Sequence, residues 1–139
     1  MNLVSESTTG NLKFTFPKSE RLHSKKLIQE LFTEGFSFYL YPFKVIYLPD
    51  AHADVNQVLV SVSKKKFKLA VTRNKLKRLI KEAYRLNKHL LADSQTASSK
   101  LLIGYIYTGK EVLPYELIEV KLKKTLLRLS KEQVETSNP

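Results

Sequence analysis

Arg73, Lys77, Lys81 and Arg85 recur every four residues, flanked by Lys75, Arg78 and Lys88. On an α-helix that spacing stacks the four cations along one face. Like charges at i, i+4 repel by about 0.2–0.5 kcal/mol per pair, so a merely solvated face usually mixes signs. Here Glu82 is the only acid among them, and Lys64, Lys65, Lys66 and Lys68 lie just upstream. Between Lys64 and Lys88, eleven Lys/Arg face one acid, a net of +10 in a chain whose total is +11. Guanidinium forks and ammonium point charges both bind phosphate oxygens. The chemistry on offer is polyanion binding, with nucleic acid the first candidate. Asn74 adds a donor and an acceptor beside Arg73. It can hydrogen-bond local backbone and fix the strand-to-helix connection, contact a ligand, or do both.

Reactive constellations are missing. His23, His52 and His89 are scattered without metal-ligand spacing, and no HExxH, GxSxG, P-loop or GxGxxG occurs. Asp50, His52 and Asp54 share one loop, which reads as a solvated turn in preference to a metal site. No catalytic residue and no protein-borne metal or cofactor is therefore expected. The chain has no cysteine, which removes disulfides and thiolate zinc sites and is compatible with a reducing compartment. No apolar run approaches the ~20 residues that span a bilayer. The N-terminus lacks the basic and apolar regions of a secretory signal. A cytoplasmic location without membrane attachment is the simplest expectation.

The 139 residues suggest one domain with a real core. Residues 1–13 read as a mobile polar tail, 14–132 as the domain and 133–139 as a frayed end. Phe14 and Phe16 lie two apart on a segment that Pro17 holds extended, so they point the same way, toward core or ligand. Ser24 caps a predicted helix over 25–34 with Gly35 at its C′ position and Leu27, Ile28, Leu31 and Phe32 as its apolar stripe. Residues 36–48 predict a strand buried on both faces, divisible into two, and residues 57–63 a second strand. A hairpin between the 43–48 and 57–63 stretches is expected. The basic helix is predicted over 70–91, roughly 33 Å long, with Leu76, Leu79, Ile80, Ala83, Tyr84 and Leu90/Leu91 facing the core. Residues 93–99 read as a loop, and 101–108 as a further strand. Pro114 opens a last helix through Lys131 that buries Ile118, Leu122, Thr125, Leu126 and Leu129. Of the seven Phe and seven Tyr, most belong to the core; any on an open sheet face can stack on unpaired bases.

Ser61-Val62-Ser63-Lys64-Lys65, followed by Ala70-Val71-Thr72-Arg73-Asn74-Lys75-Leu76-Lys77-Arg78-Leu79-Ile80-Lys81-Glu82-Ala83-Tyr84, closely resembles the signature of the bacterial ribonuclease P protein component. Arg21-Leu22, the short helix through Leu31-Phe32, Gly35 and the Phe43 strand keep that family's order, and the likeness covers roughly residues 14–131. The resemblance implies an α/β (α+β) two-layer sandwich, ordered α-β-β-(β)-α-β-α, with a left-handed βαβ crossover carrying the Arg-Asn region. It implies two partners, the catalytic RNA of ribonuclease P and precursor tRNA, with no obligate protein partner. Removal of the tRNA 5′ leader would be carried by the RNA and by Mg²⁺ bound mainly to it. Lys64, Lys65, Lys66, Lys68, Arg73, Asn74, Lys75, Lys77, Arg78, Lys81 and Arg85 would form the RNA-binding set. Phe16, Phe32, Lys44 and Tyr47 would be candidates for a cleft holding the single-stranded leader. The chain departs from the usual pattern at Lys66-Phe67, where many members carry an apolar residue and Gly, at Lys75 and Lys81, which replace Arg, and at Ile28, often aromatic.

Two rival classes stand beside this reading. A general RNA-binding or ribosome-assembly module would bind RNA without promoting leader cleavage. A membrane-surface protein would lay residues 70–91 on anionic lipid, although that helix carries no Trp or Phe on its apolar face. A stand-alone nuclease lacks any visible acid/base or metal constellation.

Overall fold

The computed structural model describes residues 15–50, 53–92 and 100–137. The 1–13 tail, Phe14, His52 and the 93–99 loop lie outside the described residues. The elements are α1 (Lys25–Glu34), β1 (Phe36–Leu40), β2 (Phe43–Asp50), β3 (Gln57–Val62), α2 (Ala70–Asn87), α3 (His89–Ala92), β4 (Lys100–Tyr107) and α4 (Tyr115–Ser137), with a 3-10 turn at Lys18–Glu20 before them.

α1 begins as its sequence predicts, Ser24 Oγ accepting the Leu27 N–H at 3.3 Å. Its end differs. Gly35 is extended (φ −73°, ψ 156°) instead of left-handed. Glycine is needed there for space, because a Cβ would lie 2.4 Å from the Leu31 carbonyl oxygen, 2.9 Å from Ile46 Cγ2 and 3.0 Å from the Tyr47 carbonyl oxygen.

The 36–48 stretch forms two antiparallel strands that reverse at the cis Tyr41-Pro42 bond, pairing Phe36 with Tyr47 and Leu40 with Phe43. The hairpin is therefore β1–β2, not the one expected between the 43–48 and 57–63 stretches. The sheet order is β1-β2-β4-β3. β4 lies antiparallel to β2 and parallel to β3, with Tyr105 opposite both Val45 and Val60. β4 is buried on both faces from Leu101 through Tyr105, a pattern that suits a central strand. A parallel neighbour needs a long crossover, and α2 and α3 supply it between β3 and β4. The left hand of that crossover rests on the resemblance.

Each sheet face has its own core. On the larger, Phe43, Val45, Tyr47, Val60, Ile103, Tyr105 and Tyr107 pack against Leu76, Ile80, Ala83 and Tyr84 of α2 and Ile118, Leu122, Leu126 and Leu129 of α4. Leu79 and Leu90 are only partly buried there. α2 stops at Asn87, four residues short of the predicted end, and Asn87 Nδ2 donates to the Ala83 carbonyl at 2.8 Å. The chain restarts as α3, which carries Leu91 into the core. α4 runs on past Lys131 to Ser137. Within this core the Tyr105 hydroxyl lies 2.8 Å from Thr125 Oγ1, which donates to the Leu122 carbonyl at 2.6 Å. Burial pushes the Tyr105 phenol far above its usual range, so it stays a neutral donor. Tyr105→Phe should lower unfolding free energy by about 1 kcal/mol in a urea titration.

On the opposite face α1 lays Leu27, Ile28 and Leu31 over Leu22, Ile46 and Leu102. Gly104 admits Leu31, whose Cδ2 would lie 3.3 Å from a Cβ there.

Candidate nucleic-acid interface

The N-terminal segment and α2 enclose a groove of about 370 Å³ lined by Phe16, Arg21, Asn74, Lys77, Arg78, Lys81, Glu82 and Arg85. Its outer wall is fixed by the sheet. Arg21 bridges Val58 in parallel, and the Leu22 N–H donates to the Val58 carbonyl at 2.9 Å. At the far end Lys88 clamps the wall to α2, its ammonium donating to the Thr15 carbonyl and pairing with Glu20 Oε1 at 2.7 Å. Phe16 then sits edge-on to buried Tyr84, with ring centroids 5.5 Å apart. Arg21 donates to the Phe16 carbonyl from Nε (3.3 Å) and Nη2 (3.1 Å), and its guanidinium lies 5.5 Å from the Phe16 ring centroid.

The groove is strongly cationic. Burial, then Arg21, then Lys77 push the Lys81 amine below its usual range. Glu82 does not offset this, because Arg85 holds it in a two-point bond of 2.6 and 3.0 Å. That hydrogen bond keeps the Glu82 carboxyl below its usual range and the Arg85 guanidinium above its own. Arg85, read from the sequence as a phosphate ligand, thus turns its fork toward Glu82. Lys77, Arg78 and Lys81 form no ion pair with a described residue, and Lys75 is exposed beside them.

Arg73 and Asn74 take the reverse of their simplest roles. Arg73 Nη1 donates to the carbonyls of Phe67 (2.8 Å) and Lys68 (2.9 Å), latching the link to the first turn of α2. The exposed Asn74 side chain lines the groove. Arg73→Ala should cost about 1–2 kcal/mol of stability, since it removes a charge-assisted pair of bonds from a partly exposed site. Arg73→Lys should recover only part of this, because an ammonium lacks the planar fork. Thermal melts of the three proteins check both statements.

The link is a tight turn. Ser63 Oγ accepts the N–H groups of Lys65 (3.1 Å) and Lys66 (3.4 Å), and the Phe67 N–H donates to the Ser63 carbonyl at 3.0 Å. Phe67 is buried against Tyr107, centroids 6.0 Å apart, so the link is pinned by a side chain. Lys66 donates to the Thr108 carbonyl at 2.8 Å, while Lys64, Lys65 and Lys68 are exposed.

The four leader-cleft candidates are not gathered into one place. Phe16 belongs to the α2 groove. Phe32 is exposed on α1, and Lys44 is half-buried on the sheet face that α1 partly covers. Tyr47 is buried on the other face, with centroids 5.6 Å from Phe36 and 6.1 Å from Phe38, and is a core residue. Side chains alternate along β2, so Tyr47 shares a face with Phe43 and Val45, and Lys44 with Ile46 and Leu48. Sequence reasoning counts Tyr39 among the strand aromatics able to stack on bases but missed it as a cleft residue, 65% exposed and directly opposite Lys44. It also missed Arg21, which becomes a groove residue only once β3 is known to be the edge strand. The alternation of Tyr39 with Phe38 was the available signal for the first; no local pattern marks the second. Among the described residues no three His, Cys, Asp or Glu come together, and no described helix is long and apolar enough to cross a membrane.

The ribonuclease P family model matches residues 16–134. A relative from Porphyromonas gingivalis, a ribonuclease P protein component, is 41% identical over 125 residues, covering 88% of this chain and 91% of its own. The relative of the same name from Petrotoga mobilis is 42% identical over 74 residues, covering 53% and 61%. Among solved structures, the RNase P protein of Staphylococcus aureus superposes with a TM-score of 0.66 at 25% identity, covering 84% of this chain and 99% of its own. The RNase P protein of Thermotoga maritima gives 0.64 at 27% identity, with 78% and 96% covered. The family match over residues 16–134, the 41% identity across most of both chains and the superposition on solved RNase P proteins lead to one conclusion: this chain belongs to the ribonuclease P protein family.

Proposed function

We propose that this protein is the subunit of a cytoplasmic ribonuclease P that binds the catalytic RNA and precursor tRNA and supports Mg²⁺-dependent removal of the 5′ leader, with the RNA carrying the chemistry. The observation that carries this reading is the groove, where Lys77, Arg78 and Lys81 have no ion-pair partner among the described residues and the lining carboxylate, Glu82, is already neutralised by Arg85. Phosphates are the complement of such a surface. In this reading Asn74, Lys75, Lys77, Arg78 and Lys81, with Lys64, Lys65 and Lys68 of the link, contact the ribozyme. The open sheet face beside α1, with Phe32, Tyr39 and Lys44, takes the unpaired leader, its aromatics stacking on bases. The groove does not fit a protein-borne Mg²⁺, which needs free oxygen ligands. In this reading the RNA holds the metal, and the protein helps by neutralising phosphate.

Leader removal from precursor tRNA by a bacterial ribonuclease P RNA at low Mg²⁺, with and without this protein, tests the reading. Strong stimulation with no cleavage by protein alone is expected. Tight RNA binding without stimulation would instead favour a general RNA-binding module. The lowered Lys81 amine gives a pH dependence. Between its folded and unfolded values the unfolded chain holds more protons, so stability rises with pH. RNA affinity falls over the same window, as the groove loses a charge. Lys81→Arg should carry full RNA affinity to higher pH, read as fluorescence anisotropy across the alkaline range.

A further inference from the structure

α4 carries a second cationic surface that the sequence hides as a mixture of signs. Its acids stand at Glu116 and Glu119 and then not until Glu132, leaving Lys121, Lys123, Lys124, Arg128 and Lys131 uninterrupted. Four of these, Lys121, Lys124, Arg128 and Lys131, fall within about 80° of arc on the helix and run roughly 15 Å along it. Among the residues whose side chains are described, which on α4 end at Lys131, none of these pairs with a carboxylate.

Two contacts fix where this stripe faces. Glu119 Oε2 accepts from Asn87 Nδ2 at 3.0 Å, so one flank of α4 meets α2. Arg128 lies on the opposite flank, its guanidinium 4.2 Å from the centroid of the Phe38 ring on β1. The stripe therefore borders the β1 edge and is separated from the α2 groove by the body of α4. β1 is the terminal strand of the sheet. Phe36, on the same sheet face as Phe38, is 56% exposed. Stacking on Phe38 orients the Arg128 guanidinium while leaving it exposed.

We propose that the α4 stripe and the β1 edge form a second track for a single-stranded RNA segment. Lys121, Lys124, Arg128 and Lys131 contact successive phosphates, and Phe36 offers a stacking platform. A cationic row beside an exposed aromatic is the recurring arrangement for unpaired nucleic acid. The choice of RNA over another polyanion rests on the function proposed above. Exposed Leu117, Val120 and Leu127 on the same helix make anionic lipid the competing ligand, and the experiment separates the two.

The probe is a fluorescein-labelled twelve-nucleotide oligouridylate containing 4-thiouridine, titrated against the full chain over a salt series. Lys124→Gln/Arg128→Gln/Lys131→Gln keeps good helix formers in α4. It should weaken binding about tenfold, flatten the log–log salt slope by about two, and abolish photo-crosslinks to residues 121–131. Phe36→Ala should weaken binding about fivefold with the slope unchanged. A triple variant whose affinity, slope and crosslinks match the parent overturns the proposal. So does loss of binding to vesicles containing 30% phosphatidylglycerol while RNA binding persists, which assigns the stripe to lipid. Lys77→Glu/Lys81→Glu, run in parallel against ribonuclease P RNA, tests the α2 groove separately. Loss of oligouridylate binding in the triple variant alone, with ribozyme binding intact in both, would support the stripe and remove the groove reading.

Discussion

Lys77→Glu combined with Lys81→Glu should lower affinity for a bacterial ribonuclease P RNA by about a hundredfold, taking about 1.4 kcal/mol for each reversed phosphate contact. The slope of log affinity against log salt should flatten by about two, one unit for each phosphate no longer neutralised. The protein should remain folded. Lys81 already sits against Arg21 and Lys77 with its amine depressed by burial and by those charges, so reversing the two lysines relieves repulsion in the free protein. Filter binding across a salt series, with circular dichroism melts as the control, reads both halves. An unchanged slope in a folded double variant would remove this groove from the RNA interface. The pair is preferable to any choice that includes Arg73, because the Arg73 guanidinium holds the Phe67 and Lys68 carbonyls, so its removal mixes stability with binding.

Gly35→Ala should cost about 3 kcal/mol, at the upper end for inserting one methyl into a packed site. Conformation is not the cause, since φ −73° and ψ 156° suit alanine. The cause is space. Two of the three atoms a Cβ would meet are carbonyl oxygens, those of Leu31 at 2.4 Å and Tyr47 at 3.0 Å, and backbone cannot step aside as a side-chain tip can. The Gly35 N–H also donates to that Leu31 carbonyl at 2.9 Å, so relief means parting the end of α1 from β2. Leu31 would then leave Ile46, Leu102 and the space that Gly104 provides. The expected result is a lower melting temperature together with a weakened α1 face, while ribozyme binding through α2 is retained in the folded fraction. A Gly35→Ala protein as stable as the parent would mean that α1 seats more loosely than its packing indicates.

Neighbours along the chain settle a good part of this protein. Charge spacing places the basic helix, and the apolar positions Leu76, Ile80, Ala83 and Tyr84 name its buried face. Ser24 and Pro114 mark helix starts, and Ile118 through Leu129 give the seat of the last helix. These are local rules of periodicity and capping, written within a few turns of chain. Which strands meet is a different matter, and only packing in three dimensions settles it. Packing puts β4 between β2 and β3, which dissolves the expected hairpin. It makes Tyr47 core on the face covered by α2 and α4, and leaves Tyr39 open on the face that α1 covers only in part. It brings Arg21 and Phe16 across from the N-terminal segment to close the α2 groove. It also turns Arg73 and Arg85 toward partners on the protein itself and leaves Asn74, Lys77 and Lys81 lining the groove. A cation's role is set by the nearest carbonyl or carboxylate in space, and that neighbour is chosen by packing over distances the local sequence does not encode.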